Sequence, residues 1–404
     1  MTEISTQHTD VPTTEVDFQD PAFVIDPYPA LREIREAGPV VWHEGLQQYL
    51  VTGYRDCARI FGNAKKFASD VDFFVGLFGG LTMEAMDQPR HDQVRGVWSR
   101  DFQRPTVEAQ RELITEVIDS QLESFLERVR SGETVDAVSA MTRGIPTIVI
   151  AKMLGIPDAD YRQFSAWSDA MGGIPEGSTD LSPRGQELIA NGKQATKDLN
   201  DYIRNELAPR RKNPGSDLIS TMVASPVADE MTEQEIVASN TQLVFAGNET
   251  TAKLMAHTML ALQQHPDQLA LVREDPSLIP QAIEEIHRWN TIVHVGWRFV
   301  RDGGHQIAGV PVKDGDVIMC LQGAANRDPA RWENPDVLDI RREPVQHMGF
   351  GFGMHSCLGL NLARLEVQIW LQRLLEELPA WNVESVDWGT NWVLRGPAAL
   401  HISA

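Results

Sequence analysis

Cysteine is scarce in this 404-residue chain: Cys57, Cys320 and Cys357 are odd in number, far apart and form no Cys-x-x-Cys pair. That excludes a disulfide framework and a cysteine-built zinc site, and it fits a reducing compartment. Cations are in deficit as well, since 36 Lys and Arg stand against 57 Asp and Glu for a formal charge of −21. A surface this acidic repels phosphate backbones and anionic headgroups, which argues against nucleic acid as a partner. Long apolar runs are also missing, and none approaches the roughly 18 residues of a membrane span. The N-terminal stretch is rich in Thr, Asp and Glu and has no basic flank followed by an apolar core. The expectation is a cytoplasmic protein with no membrane anchor.

What is present is an ordinary globular composition, 42% hydrophobic and 23% charged, which excludes disorder and collagen. Residues 1–20 read as a polar tail. Residues 21–404 read as one unit, because no internal repeat or linker-like composition shift interrupts them. Val40-Val41-Trp42 and Tyr49-Leu50-Val51-Thr52 predict a hairpin around His43-Glu44-Gly45. Helical periodicity dominates from Tyr54 onward, notably in 107–130, 184–207 and 364–378, and strand character returns near 306–321 and in Leu400-His401-Ile402. The predicted fold class is mainly α with small β-sheets.

Two stretches carry chemistry. Thr232-Glu233-Gln234-Glu235 is a capping box and Pro266 a stop, which predicts a helix of about 32 residues or ~48 Å. Its flanks are apolar, yet its middle reads Ala246-Gly247-Asn248-Glu249-Thr250-Thr251. A glycine and a carboxylate there work against stability, unless the stripe simply faces solvent. The second stretch runs from His347 to Gly359 and sets Cys357 in a loop with four glycines, just before a helical pattern. Backbone N–H groups and the positive helix end favour thiolate over thiol, and thiolate is a soft ligand that suits haem iron. Gly351-x-Gly353 lacks the third glycine and the preceding strand of a dinucleotide loop. An inert buried cysteine would not require so many glycines.

At this point the chain resembles the cytochrome P450 family of haem-thiolate monooxygenases over nearly its whole length. The family's Phe-x-x-Gly-x-x-x-Cys-x-Gly signature falls on Phe350, Gly353, Cys357 and Gly359, and its Ala-Gly-x-(Asp/Glu)-Thr signature on Ala246, Gly247, Glu249 and Thr250. Its Glu-x-x-Arg pair falls on Glu285 and Arg288, followed by Asn326-Arg327-Asp328-Pro329. The resemblance implies a single haem domain with the cofactor, haem b, between the long helix and the cysteine loop. It makes Cys357 the iron ligand, Glu249 and Thr250 the proton-delivering acid and alcohol, and Gly247 room for oxygen. His91, Arg95, His355 and either Arg298 or Arg301 would meet the haem propionates. Glu285 and Arg288 would form a buried structural pair, joined by Arg342 or Arg341.

The resemblance further implies O2 as oxidant and NAD(P)H-derived electrons delivered by a separate ferredoxin and ferredoxin reductase, because no flavin, nucleotide or iron–sulfur fingerprint is present. A monomer is expected. A non-catalytic haem-thiolate sensor or carrier is the rival reading, against which the Glu249–Thr250 pair argues. The substrate pocket is expected from Phe73, Phe74, Val75, Phe78, Val244, Val293, His294, Val295, Val393 and Leu394. Clustered phenylalanines, and the absence of Lys and Arg between Lys66 and Arg90, point to a small neutral aromatic or a monoterpenoid. His294 is the expected hydrogen-bond donor.

Overall fold

The computed structural model describes residues 11–157 and 160–404, and it is predominantly helical with three small sheets. The predicted long helix spans Glu233–Gln264, and its capping box is made in both directions. Thr232 Oγ1 accepts from the Glu235 N–H at 3.2 Å, and the Thr232 N–H donates to the Glu235 carboxylate at 2.7 Å. Pro266 opens the next helix, so the long one ends at His265. This central helix packs against Gly144–Met153, Pro183–Lys212 and Leu360–Glu377. The periodic stretches thus form the expected helices, with Arg111–Arg130 preceded by the separate turn Arg104–Glu108.

The expected hairpin forms from Val40–His43 and Gln48–Val51. It joins a six-stranded sheet through Val317–Leu321, which pairs parallel to Gln48–Val51 and antiparallel to Val295–Val300. His305–Ile307 and Val310–Val312 make a separate two-stranded hairpin, and Ala399–Ser403 lies between Asn382–Asp387 and Val135–Asp136. Val295–Val300 is a strand not named among the sequence expectations, although Val295, Trp297 and Phe299 alternate with Gly296 and Arg298.

The reading of residues 1–20 as a tail needs correction. Residues 1–10 lie outside the described residues, but Thr13–Thr14 pairs in parallel with Trp42 and His43. Phe18 is buried and stacks on Trp392 at 4.4 Å, which ties the segment to the C-terminal end of the chain. Aromatic burial outweighs the polar composition around it. No helix among the described residues is long and apolar enough to cross a membrane.

Candidate active site

The cysteine loop is shaped by its backbone. Gly351 and Gly353 adopt left-handed φ of 70° and 74°, a region that side-chain-bearing residues avoid. A Cβ on Gly353 would stand 2.5 Å from the Phe61 carbonyl, so the loop lies directly on the Tyr54–Phe61 helix. The turn closes with the Cys357 N–H donating to the Phe350 carbonyl at 2.8 Å. Cys357 then lines a cavity of ≈ 350 Å³ that the central helix borders with Gln242, Leu243, Ala246, Gly247, Thr250 and Thr251. Its sulfur is reachable from the cavity but deep within the protein. Burial pushes the thiol up to about 11, with the Gly359 N–H acting in the opposite direction. Desolvation and the helix end thus act in opposite directions on this sulfur.

At one edge of the cavity stands a basic group. Arg298 and His355 line it, and the His91 ring meets His355 edge-on at 4.9 Å. His91 Nε2 and His355 Nδ1 are buried without hydrogen-bond partners. The Arg95 guanidinium enters no ion pair among the described residues, and its charge, with those of Arg298 and His91, helps hold His355 down to about 3 after desolvation. Arg298 stacks over Phe61 and donates to the Trp297 carbonyl at 2.7 Å. Arg301 is instead engaged by Asp87 and does not line the cavity. Orphaned donors and unpaired cations at one edge, a soft sulfur and a glycine-rich loop fit a flat, dianionic, iron-bearing macrocycle. The residues present therefore suit haem.

Glu249 and Thr250 diverge. Thr250 faces the main cavity, its hydroxyl donating to the Ala246 carbonyl at 3.2 Å. Glu249 lines a second cavity with Arg143, Asp169 and Lys253, because adjacent helical residues point about 100° apart. Its carboxylate pairs with Lys253, which also reaches the Leu394 carbonyl, while its other oxygen is buried without a partner. Asp169, paired with Arg143 at 3.2 Å, is pushed up to about 6 by burial, with a further push from Glu249. Gly247 borders the main cavity and has a packing role as well. A Cβ there would meet Ile150 at 2.9 Å, so the glycine allows the Gly144–Met153 helix to approach closely.

Of the expected pocket residues, Phe73, Phe74, Val293, Val295, Val393 and Leu394 line the cavity. Phe78, Val244 and His294 do not. Phe78 is buried against Phe74 and Phe245, Val244 faces away on the central helix, and Val75 is 36% exposed at the surface. Val293 and Val295 point inward, so His294 between them points outward onto Gly323 and the Tyr28 ring. Sequence reasoning missed Glu84, Gln242, Trp297, Gln322 and Glu366, all of which line the cavity. Gln242 was recoverable, since it shares a helical stripe with Ala246; Glu84 has no local signal.

Glu285 and Arg288 form a buried bidentate pair with both contacts at 2.7 Å. Arg342, not Arg341, completes it, with its Nε 3.0 Å from Glu285 Oε1. Arg341 is exposed, and its backbone N–H donates to the Asp339 carboxylate at 3.0 Å.

Known proteins resemble this chain along most of its length. The family model for Cytochrome P450 matches residues 33–380. The chain is 31% identical to the biotin biosynthesis cytochrome P450 of Bacillus subtilis over 375 residues, 91% of this chain and 92% of that one. It is 29% identical to the vitamin D3 dihydroxylase of Streptomyces griseolus, over 94% of this chain and 93% of that protein. The solved structure of P450BioI with acyl carrier protein bearing hexadec-9Z-enoic acid superposes with a TM-score of 0.86 at 28% identity, covering 95% of this chain and all of that one.

Proposed function

This chain belongs to the cytochrome P450 family and is a monooxygenase, and from that premise we propose that it inserts one atom of O2 into a compact, largely apolar organic molecule with an aromatic or terpenoid skeleton. The observation that carries the reading is a cysteine and a threonine lining one cavity whose remaining walls include Phe73, Phe74, Val293, Val295 and Leu394. Hydroxylation or O-dealkylation are the expected outcomes. The protein would act as a cytoplasmic monomer, with electrons from NAD(P)H through a separate ferredoxin and its reductase.

Haem b, held by Cys357 with its propionates against His91, Arg95, Arg298 and His355, would supply the iron that accepts electrons and activates O2. The chain does the rest. Cys357 releases its proton on ligation, and the Gly359 N–H supports the resulting charge. Thr250 rests with its hydroxyl donating to the Ala246 carbonyl, and it serves the cavity by rotating that O–H inward to give its proton and accepting a replacement on its oxygen. Glu249 gathers protons from the second cavity, where Asp169 exchanges near neutrality, and passes them towards Thr250 by turning about the helix. Lys253 holds Glu249 between these excursions. The apolar walls exclude water and align the substrate by area burial.

The test is spectroscopic. Reduced protein under carbon monoxide should give the red-shifted Soret band of a thiolate-ligated haem, and Cys357→Ala should lose that band while retaining its helical circular dichroism. A histidine-type carbonyl band in well-folded wild type would refute the assignment.

A further inference from the structure

The cavity holds a polar feature that oxygen chemistry leaves unused. Glu84, between the Val71–Phe78 and Arg90–Ser99 helices, lines it together with Gln242 of the central helix. Gln242 is 1% exposed; its amide faces the Glu84 carboxyl without closing a hydrogen bond to it, and neither its amide oxygen nor its amide nitrogen has another partner among the described residues. A buried amide left in that state points to a ligand that completes it. Burial raises the Glu84 carboxyl, opposed in order by the charges of Arg298, Arg95 and His91 and by the neighbouring Gln242 amide. Yet Glu84 is in ion-pair contact with none of those cations among the described residues. It is therefore not simply the counter-ion of the basic edge.

The remaining charges in the lining point the same way. Asp70 is a second acid there, with one carboxylate oxygen occupied by the Phe73 N–H at 2.9 Å. No lysine lines the cavity among the described residues, and its one arginine, Arg298, belongs to the basic edge. Phe73 packs edge-on to Phe74 at 5.3 Å and against Trp297 at 5.8 Å, so aromatic surface accompanies the acids. Carboxylate with aromatic rings in a desolvated pocket is the combination that holds organic cations.

We propose that Glu84 and Gln242 form a recognition subsite for a protonated amine carried on the apolar body of the substrate. The Glu84 carboxylate takes the ammonium charge, and the Gln242 carbonyl accepts a remaining N–H. The inference rests on the monooxygenase reading and replaces the neutral substrate expected from the sequence. The shortage of cations between Lys66 and Arg90 that disfavours an acid equally favours a base.

The test compares two molecules of one shape on the holoprotein, benzyltrimethylammonium and neopentylbenzene, by titration calorimetry. A quaternary nitrogen has no lone pair for iron, so a preference reports the walls alone. Wild type should bind the ammonium about tenfold more tightly or better. Glu84→Gln should abolish the preference, and Glu84→Asp, which keeps the charge, should retain part of it. Gln242→Leu should weaken benzyldimethylammonium, which has an N–H, more than the quaternary probe. Equal binding of the two shapes by wild type overturns the proposal, as does a preference that survives Glu84→Gln. The carbonyl spectrum of the same samples reports the monooxygenase reading separately, since calorimetry registers amine preference whatever the iron ligand is.

Discussion

Glu366, on the Leu360–Glu377 helix that follows the cysteine, is 1% exposed, and burial alone pushes its carboxyl up to about 8. The unfolded chain loses this proton near the ordinary value of 4.5, whereas the folded protein keeps it to about 8. The folded state therefore binds the proton more tightly, and this group's contribution to stability falls as pH rises between those values, levelling off above. Glu366→Gln removes the dependence without changing shape. Its advantage over wild type should grow from nothing near pH 4.5 to a few kcal/mol, on the order of the pKa difference, above pH 8. Thermal unfolding midpoints measured across that range check this; a pH-independent offset would mean that Glu366 holds no extra proton. Nothing in the sequence separates Glu366 from any other helical glutamate, because its burial comes from elements distant along the chain.

At the scale of elements, the Glu285–Arg288–Arg342 cluster joins the Ile279–Trp289 helix to the loop that leads to the cysteine. Arg288 also donates to the carbonyls of Asn326 and Pro335, each at 2.9 Å. Arg342 donates to those of Glu333, Asn334 and Val337. One carboxylate thus supports two guanidiniums that together tie down five carbonyls. Glu285→Gln leaves buried Arg288 and half-buried Arg342 without their shared counter-charge, and it should cost about 3–5 kcal/mol, far above an exposed ion pair. Denaturant midpoints check the size; a loss under about 1 kcal/mol would place the pair among surface bridges. The Glu-x-x-Arg spacing was legible because i and i+3 share a helical face. The choice of Arg342 over Arg341 was not, since neighbouring loop residues differ only in which way the chain turns. Glu249 and Thr250 show the same limit, being adjacent in sequence but open to different cavities.

For the whole molecule, the charge of −21 opposes any acidic partner unless cations gather locally. Arg342 is committed to Glu285 and Arg364 to Glu284, the latter standing over the Phe350 ring at 4.8 Å. Arg100, Arg104 and Arg341 are exposed. If an acidic ferredoxin docks through these three, its reduction of the protein should slow as salt shortens the Debye length from about 10 Å at 0.1 M. Arg100→Glu with Arg104→Glu should slow it further and flatten the salt dependence. Stopped-flow reduction over a salt series checks this, and rates indifferent to salt would exclude electrostatic docking.

The sequence by itself determined the helical class, the capped central helix, the hairpin and the loop that presents Cys357. All depend on local rules: periodicity, capping chemistry and the backbone freedom of glycine. Only the tertiary structure decided that Phe18 is core, that Arg298 lines the cavity while Arg301 pairs with Asp87, and that His294 turns its back on the pocket. It alone brought Glu84 and Gln242 into one cavity lining. Such contacts join residues far apart along the chain, and their energies come from burial and desolvation, which exist only once the elements have packed.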